Sequence, residues 1–332
     1  MPNVQSKIWL VHGSISSFVR SVTIACVVVV ILARPDIAQS VAIPNVFFPP
    51  AVVSVPDVKK EVTEVSMVLT VTDGRGHLIH NLRESDFNIL DNGHAPDRIT
   101  YFEAQTNLPL KVALVVDTSD SVNYRFRFEQ KSGATFFRHM LHSPADLGAV
   151  VGFNQDVRVA QTLTRNTDAL KLSLKHLHPG GETAIYDAVI VAAHELSALS
   201  EELPSRHVIV LITDGEDNRS HAHLNDAIEA ALRSDSVVYV VSTNSTDLRF
   251  DFDDEGDAYM TQLAQATGGR LLHSEDEGDV ATAFSRIEKE LRSQYAIAYK
   301  PANQSPDGFF HHVMVLSPKM LHVFHRVGYF AR

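Results

Sequence analysis

The chain has one cysteine among its 332 residues, and that cysteine, Cys26, lies in an apolar segment near the start. The sequence after it therefore cannot form an intrachain disulfide or a cysteine-based zinc site. Basic residues are scarce as well, with 29 Lys and Arg against 40 Asp and Glu and a formal net charge of −11. Because phosphate binding requires a concentrated basic face, nucleic acid is excluded as the main partner. The sequence also lacks a Gly-x-Ser-x-Gly elbow and a phosphate-binding P-loop, which excludes two common catalytic frameworks.

One apolar run, residues 21–33, is preceded by two basic residues and followed by small residues at 38–40. Its length suits the core of a signal peptide, whereas a membrane span needs about 20 apolar residues. Residues 1–40 are therefore predicted to be a signal peptide. The alternative is an uncleaved N-terminal anchor that attaches the protein to a membrane through residues 8–33. Both predict an exported protein that is periplasmic, secreted or associated with the cell envelope.

The remaining sequence divides into four segments. Residues 41–57 are rich in proline and are predicted to be a linker. Residues 58–107 contain short alternating runs that end at Asp-Gly and Asn-Gly pairs, which predicts a small antiparallel β module. Residues 108–292 alternate between apolar runs and helical stretches, and residues 293–332 return to a β-type pattern as a C-terminal extension.

The segment 108–292 predicts an α/β fold with a doubly wound, mostly parallel sheet. Its apolar runs, rich in Val and Ile, are typical of strands buried on both faces, and helices are expected on both sides of the sheet. The predicted buried strands cover residues 110–116, 147–153, 207–213 and 236–242. The predicted helices cover 126–141, 184–199, 224–233 and 259–267, with another ending near Leu291. Residues 158–163 are expected to form an antiparallel partner at the sheet edge.

Five polar residues follow the ends of these predicted strands or precede a helix. They are Asp117, Ser119, Ser121, Thr183 and Asp214. In open α/β sheets, ligands bind beyond the carboxyl ends of the strands, where these residues would meet. Two carboxylates and three hydroxyls are hard oxygen donors, which suit Mg²⁺, Mn²⁺ or Ca²⁺ rather than zinc or copper. The small number of carboxylates would leave positive charge to attract an outside anion.

In order and spacing, this set resembles the metal-ion-dependent adhesion site of von Willebrand factor type A domains, which have a Rossmann-like sheet. The strings near residues 71–93 and near the C-terminus are similar to a bacterial exported group of related proteins. The resemblance implies that Ser119, Ser121 and Thr183 contact the metal directly and that Asp117 and Asp214 act largely through water. It also implies a protein partner that completes the metal shell with an Asp or Glu. The alternative is that these residues are only caps and turns.

Two weaker patterns do not support a site of their own. Residues 251–256 match the first half of a calcium loop but lack its final Glu, so the segment 251–257 is interpreted as a solvated acidic loop. His194-Glu195 begins like a zinc-protease motif, but Ala198 occupies the second histidine position.

The sequence therefore predicts a binding protein and not an enzyme, with no residue assigned to catalysis. Two other functions stay open: a metal-assisted hydrolase that uses the same ion to activate water, and a structural component of an envelope assembly.

Overall fold

The computed structural model describes residues 64–104, 108–198, 205–243, 251–274, 277–303, 306–317 and 321–331. The predicted signal peptide or anchor and the predicted linker lie outside these residues. The strands are β1 Val65–Thr72, β2 Asn88–Asp91, β3 Arg98–Ala104, β4 Leu110–Asp117, β5 Leu147–Phe153, β6 Val157–Thr164, β7 Arg206–Thr213, β8 Ser236–Ser242, β9 Leu271–His273, β10 Tyr295–Lys300, β11 Phe310–Leu316, β12 His322–Phe324 and β13 Gly328–Phe330. The helices are α1 Phe126–Met140, α2 Thr167–Lys175, α3 Ile185–Ser197, α4 Leu224–Arg233, α5 Asp251–Thr267 and α6 Glu277–Arg292.

The central sheet has the strand order β6-β5-β4-β7-β8-β9. Neighbouring strands are parallel except for β6, which pairs antiparallel with β5 at the edge as predicted. Every residue of β4, β7 and β8 is buried, which explains why these strands have nearly continuous apolar sequences. The α/β fold with a mostly parallel sheet is therefore confirmed.

Helices cover both faces of this sheet because alternate strand residues point to opposite sides. Val112 and Leu114 of β4 belong to a core shared with α1, α2 and α6. Ala113 and Val115 of the same strand belong to a second core shared with α3, α4 and α5. The strand β4 thus lies at the centre of a three-layer sandwich.

The helices agree with the predicted ones with two exceptions. The prediction of an acidic loop at residues 251–257 is wrong, because α5 begins at Asp251 and continues to Thr267. Acidic residues are favoured in the first turn of a helix, where they interact with the positive end of its dipole. The acidic run is therefore the start of a helix. The second exception is α2, which the sequence analysis did not predict.

A separate β region combines strands from both ends of the described chain. Its two sheets have the orders β12-β1-β10-β3 and β13-β11-β2. In the first sheet, Met67 of β1 pairs with Ile297 of β10. Both side chains lie in a third core together with Tyr299 and Val313. Strands of residues 58–107 and strands of the C-terminal extension therefore share one core. None of the described helices is long and apolar enough to span a membrane.

Candidate metal centre

Asp117 ends β4, and Asp214 directly follows the neighbouring parallel strand β7, as the sequence predicted. The last pair of the β4–β7 ladder is Val116 with Ile212, so both carboxylates emerge at the same edge of the sheet. Asp117 is completely buried. Its Oδ1 accepts a hydrogen bond from the backbone N–H of Ser119 at 2.8 Å, and its Oδ2 accepts one from the Thr213 hydroxyl at 2.7 Å. Hydrogen bonds to both oxygens thus fix the orientation of this carboxylate.

The two serines connect Asp117 to Asp214. Ser119 is buried, and its hydroxyl lies 2.9 Å from that of Ser121. The Ser121 hydroxyl in turn donates to Asp214 Oδ2. Ser121 is exposed, so the connected group extends from the buried end of β4 to the protein surface. Four of the five predicted site residues therefore form one hydrogen-bonded group.

Thr183 comes from a different loop that contacts the first one through its backbone. The N–H of Gly180 donates to the carbonyl of Thr118 at 2.7 Å, and the N–H of Asp120 donates to the carbonyl of Gly181 at 3.0 Å. Gly181 has φ +96°, a conformation that residues with a side chain rarely adopt. Thr183 itself is buried, with 4% of its surface exposed. The structure thus brings the fifth predicted residue to the same edge of the sheet.

Asp217 and Asn218 hold this second loop, and the sequence analysis did not assign them a role. Asn218 Oδ1 accepts the backbone N–H of Thr183 at 2.9 Å, and the N–H of Asn218 donates to the Thr183 carbonyl at 3.1 Å. Asp217 Oδ2 accepts the N–H groups of Ile185 and Tyr186, at 2.7 and 3.1 Å. Asp217 therefore caps α3 from the loop after β7. Ala184 is the N-cap residue of α3 and has no side chain that can cap the helix. An alanine at this position was the signal in the sequence that a residue from elsewhere caps α3.

The electrostatics of the two site carboxylates favour a cation. The pKa of Asp117 is raised to about 6, chiefly by burial and also by the negative charge of Asp214. The hydrogen bonds from Ser119 and Thr213 act in the opposite direction. The second oxygen of Asp214, Oδ1, is buried without a hydrogen-bond partner. A cation beside these groups would relieve the repulsion and satisfy the unpartnered oxygen.

The chemistry of the donors fits a hard cation. The described residues contain no group of three or more His, Cys, Asp or Glu side chains arranged to hold a metal ion. A cation at this edge would therefore rely on the hydroxyls of Ser119, Ser121 and Thr183 beside two carboxylates. Such an oxygen set suits Mg²⁺, Mn²⁺ or Ca²⁺. His194 is exposed on α3, and neighbouring Glu195 accepts the N–H of Leu163 at 2.8 Å, which is a structural role.

Comparison with protein families gives a match over the part of the chain that carries this site. Residues 112–216 match the family model of the von Willebrand factor type A domain. This region is a von Willebrand factor type A domain. A curated relative, calcium-activated chloride channel regulator 1 of Bos taurus, is 26% identical over 183 residues. That alignment covers 53% of this chain and 19% of the regulator, so this chain spans about a fifth of that protein's length.

Several solved structures of low sequence identity are similar to the protein around its type A domain. A von Willebrand factor type A protein from Catenulispora acidiphila is 13% identical with a TM-score of 0.47, over 82% of this chain and 75% of that one. The corresponding domain of the type V pili tip protein Mfa5 from Porphyromonas gingivalis is 13% identical with a TM-score of 0.46, over 55% and 95%. The PilB minor pilin from Streptococcus sanguinis is 15% identical with a TM-score of 0.44, over 57% and 62%.

Proposed function

We propose that the protein is an exported binding protein whose type A domain holds one divalent cation and uses it to bind a carboxylate of a protein partner. The cation is Mg²⁺, Mn²⁺ or Ca²⁺, and its ligands are Asp117, Ser119, Ser121, Thr183 and Asp214. The observation that carries the proposal is the connected group of carboxylates and hydroxyls at the sheet edge, with one Asp214 oxygen buried and unpartnered.

The composition of this group favours binding to a partner over a purely structural role for the ion. Mg²⁺ takes six oxygen ligands and in proteins usually keeps waters beside one or two carboxylates. The five candidate ligands leave at least one of the six positions for a further acidic group, and three of the five are neutral hydroxyls. Ser121 and the adjacent Asp120 are exposed, so a partner can reach the ion from the surface.

Export is proposed from the apolar run at residues 21–33 and the small residues at 38–40. In this proposal the ion binds a partner and no catalytic residue is assigned. A hydrolase that uses the same ion would require a general base within reach of the metal-bound water. The proposal assigns none of the five site residues to that role.

The experiment is calorimetric titration of Mg²⁺, Mn²⁺ and Ca²⁺ into the wild-type protein and the Asp117→Ala variant. The wild type is expected to bind one ion and the variant none, because Asp117 orients the connected group. Asp156→Ala is the matched control, since Asp156 is an exposed aspartate that follows the neighbouring strand β5. Equal ion binding by the wild type and Asp117→Ala, or no binding by either, contradicts the proposal.

The partner is tested by capture from a cell-envelope extract, with Mg²⁺ or with EDTA, using wild-type protein and Thr183→Ala as bait. If the function is binding, Thr183→Ala stays folded and loses a protein that the wild type captures only with Mg²⁺. If the ion only stabilises the fold, Thr183→Ala instead lowers the melting temperature and captures the same proteins as the wild type.

A further inference from the structure

Glu129 is a buried carboxylate that the five-residue site does not include. It lies on α1, and 1% of its surface is exposed. Both of its carboxylate oxygens are buried without a hydrogen-bond partner. Burial of an ionised carboxylate without hydrogen bonds is strongly unfavourable. Glu129 lies in the first turn of α1, where acidic residues are favoured, but its burial without hydrogen-bond partners requires an explanation.

The charged groups around Glu129 connect it to the candidate metal centre. The pKa of Glu129 is raised to about 8, chiefly by burial; the Arg125 guanidinium opposes the rise, and the charges of Asp117 and Asp214 contribute to it. Glu129 lies in the first turn of α1, which begins five residues after Ser121. Phe126, the first residue of α1, belongs to the same core cluster as Val116 and Ile212, which lie near the ends of β4 and β7. The start of α1 therefore shares a core with the strand ends that lead to the two site carboxylates.

We propose that Glu129 is a third acidic group of the cation site, one that accepts hydrogen bonds from water bound to the ion. This inference rests on the proposed cation binding. Glu129 does not join Asp117 and Asp214 in a direct ligand cluster, because the described residues contain no such cluster of three acidic groups. It is therefore a positioning residue that acts through the hydration shell. Such outer groups orient the inner ligands and raise the affinity for the metal.

Arg125 explains how a third carboxylate is compatible with an acidic partner. It lies one turn before Glu129, its Nε is buried without a partner, and its guanidinium lies 4.6 Å from the ring centre of exposed Tyr124. The charge of Arg125 offsets that of Glu129. The balance of charge around the ion is then the same as with the five-residue set alone. The partner's carboxylate can still complete the shell.

The test compares Mg²⁺ and Mn²⁺ affinity of the full chain with that of Glu129→Gln and Glu129→Met by calorimetry. Both variants preserve the length of the side chain, and both are expected to bind the ions at least about tenfold more weakly, as when other outer-shell partners are removed. Glu288→Gln is the matched control. It removes one carboxylate from α6, where Glu288 pairs with Arg292 at 3.0 Å, and is expected to bind like the wild type.

A second measurement separates a metal-linked role from a merely structural one. In EDTA, at a pH above the raised pKa of Glu129, Glu129→Gln is expected to melt at a higher temperature than the wild type, because the amide carries no buried charge. The variant should thus gain stability while it loses metal affinity. Wild-type affinity in both Glu129 variants overturns the role of Glu129 alone. Absence of ion binding in the wild type overturns both this inference and the proposed function.

Discussion

Asp217 joins the loop after β7 to the first turn of α3, and its replacement by alanine tests how the candidate site is supported. Its Oδ2 accepts the N–H groups of Ile185 and Tyr186 and the hydroxyl of Ser220, the last at 2.6 Å. Its Oδ1 accepts the N–H of Ser220 at 3.1 Å. Asp217→Ala removes all four acceptor contacts. Asn218 and the backbone hydrogen bonds of Gly180 and Gly181 then still hold the loop that carries Thr183.

Two contributions determine how much unfolding free energy Asp217→Ala is expected to lose. Loss of a helix cap costs about 1 kcal/mol, and hydrogen bonds to a charged group are each worth about 1.5 to 3 kcal/mol. Asp217 is half-buried, which places the expected total at about 2 to 4 kcal/mol. For a domain of this size, each kcal/mol lowers the melting temperature by about 2 to 4 °C.

The assay combines denaturant unfolding with calorimetric titration of Mg²⁺. Asp226→Ala is the control because Asp226 supports the start of a different helix, α4, where it accepts the N–H of the N-cap residue His223 at 2.8 Å. Both variants should lose stability, but only Asp217→Ala should lose Mg²⁺ affinity, because only Asp217 supports the loop of Thr183. Wild-type affinity in Asp217→Ala would show that the position of Thr183 does not depend on this cap. Unchanged stability would refute the capping role itself.

The remaining predictions concern the metal-free protein and the β region. Burial raises the pKa of Asp117 to about 6 and that of Glu129 to about 8, so both groups bind protons more tightly in the folded than in the unfolded chain. The free energy of unfolding in EDTA should therefore fall as the pH rises from about 4 to about 8, and urea unfolding that shows a rise over this interval would contradict the assigned shifts. Asp91 accepts the hydroxyls of Tyr299 and Tyr329, both at 2.9 Å. Asp91→Ala should lower the unfolding free energy by about 3 kcal/mol, because two buried hydroxyls lose their acceptor, and an unchanged urea midpoint would exclude this role.

The central sheet could be predicted from the sequence because its signal is local. A strand buried on both faces must be apolar at nearly every position, and β4, β7 and β8 follow that rule. Parallel pairing followed from the helices between the strands. Asp117 and Asp214 were expected at one edge for the same reason, since both directly follow predicted strands.

The β region could not be predicted in the same way because its pairing is not local. Val65 pairs with Tyr299 across most of the described chain, and the alternating pattern of a strand does not specify its partner. The two segments were therefore treated as separate. The helix α2, in contrast, had a readable signal: the Asn166 side chain accepts the N–H groups of Asp168 and Ala169, as an N-cap residue does.

The candidate site likewise contains residues that local sequence could predict and residues that it could not. The five predicted residues belong to short strings whose spacing could be compared with a known family. Asp217 acts through contacts with an element that is distant in sequence, so no local spacing indicates its role. The sequence shows Asp217 in an acidic string after β7. Its role as a cap of α3 depends on how the loop after β7 meets the loop that carries Thr183.

Asp117 and Thr183 are consequently held in place by different kinds of contact. Asp117 belongs to a completely buried strand and is oriented by hydrogen bonds from Ser119 and Thr213. Thr183 lies in a glycine-containing loop, and side chains from the loop after β7 bond to its backbone and to the helix that follows. Movement of the sheet edge would require the core to repack, whereas movement of the Thr183 loop requires only that a few hydrogen bonds change. A change in the site when a partner binds is therefore expected in the Thr183 loop, with Asp117 as the fixed point.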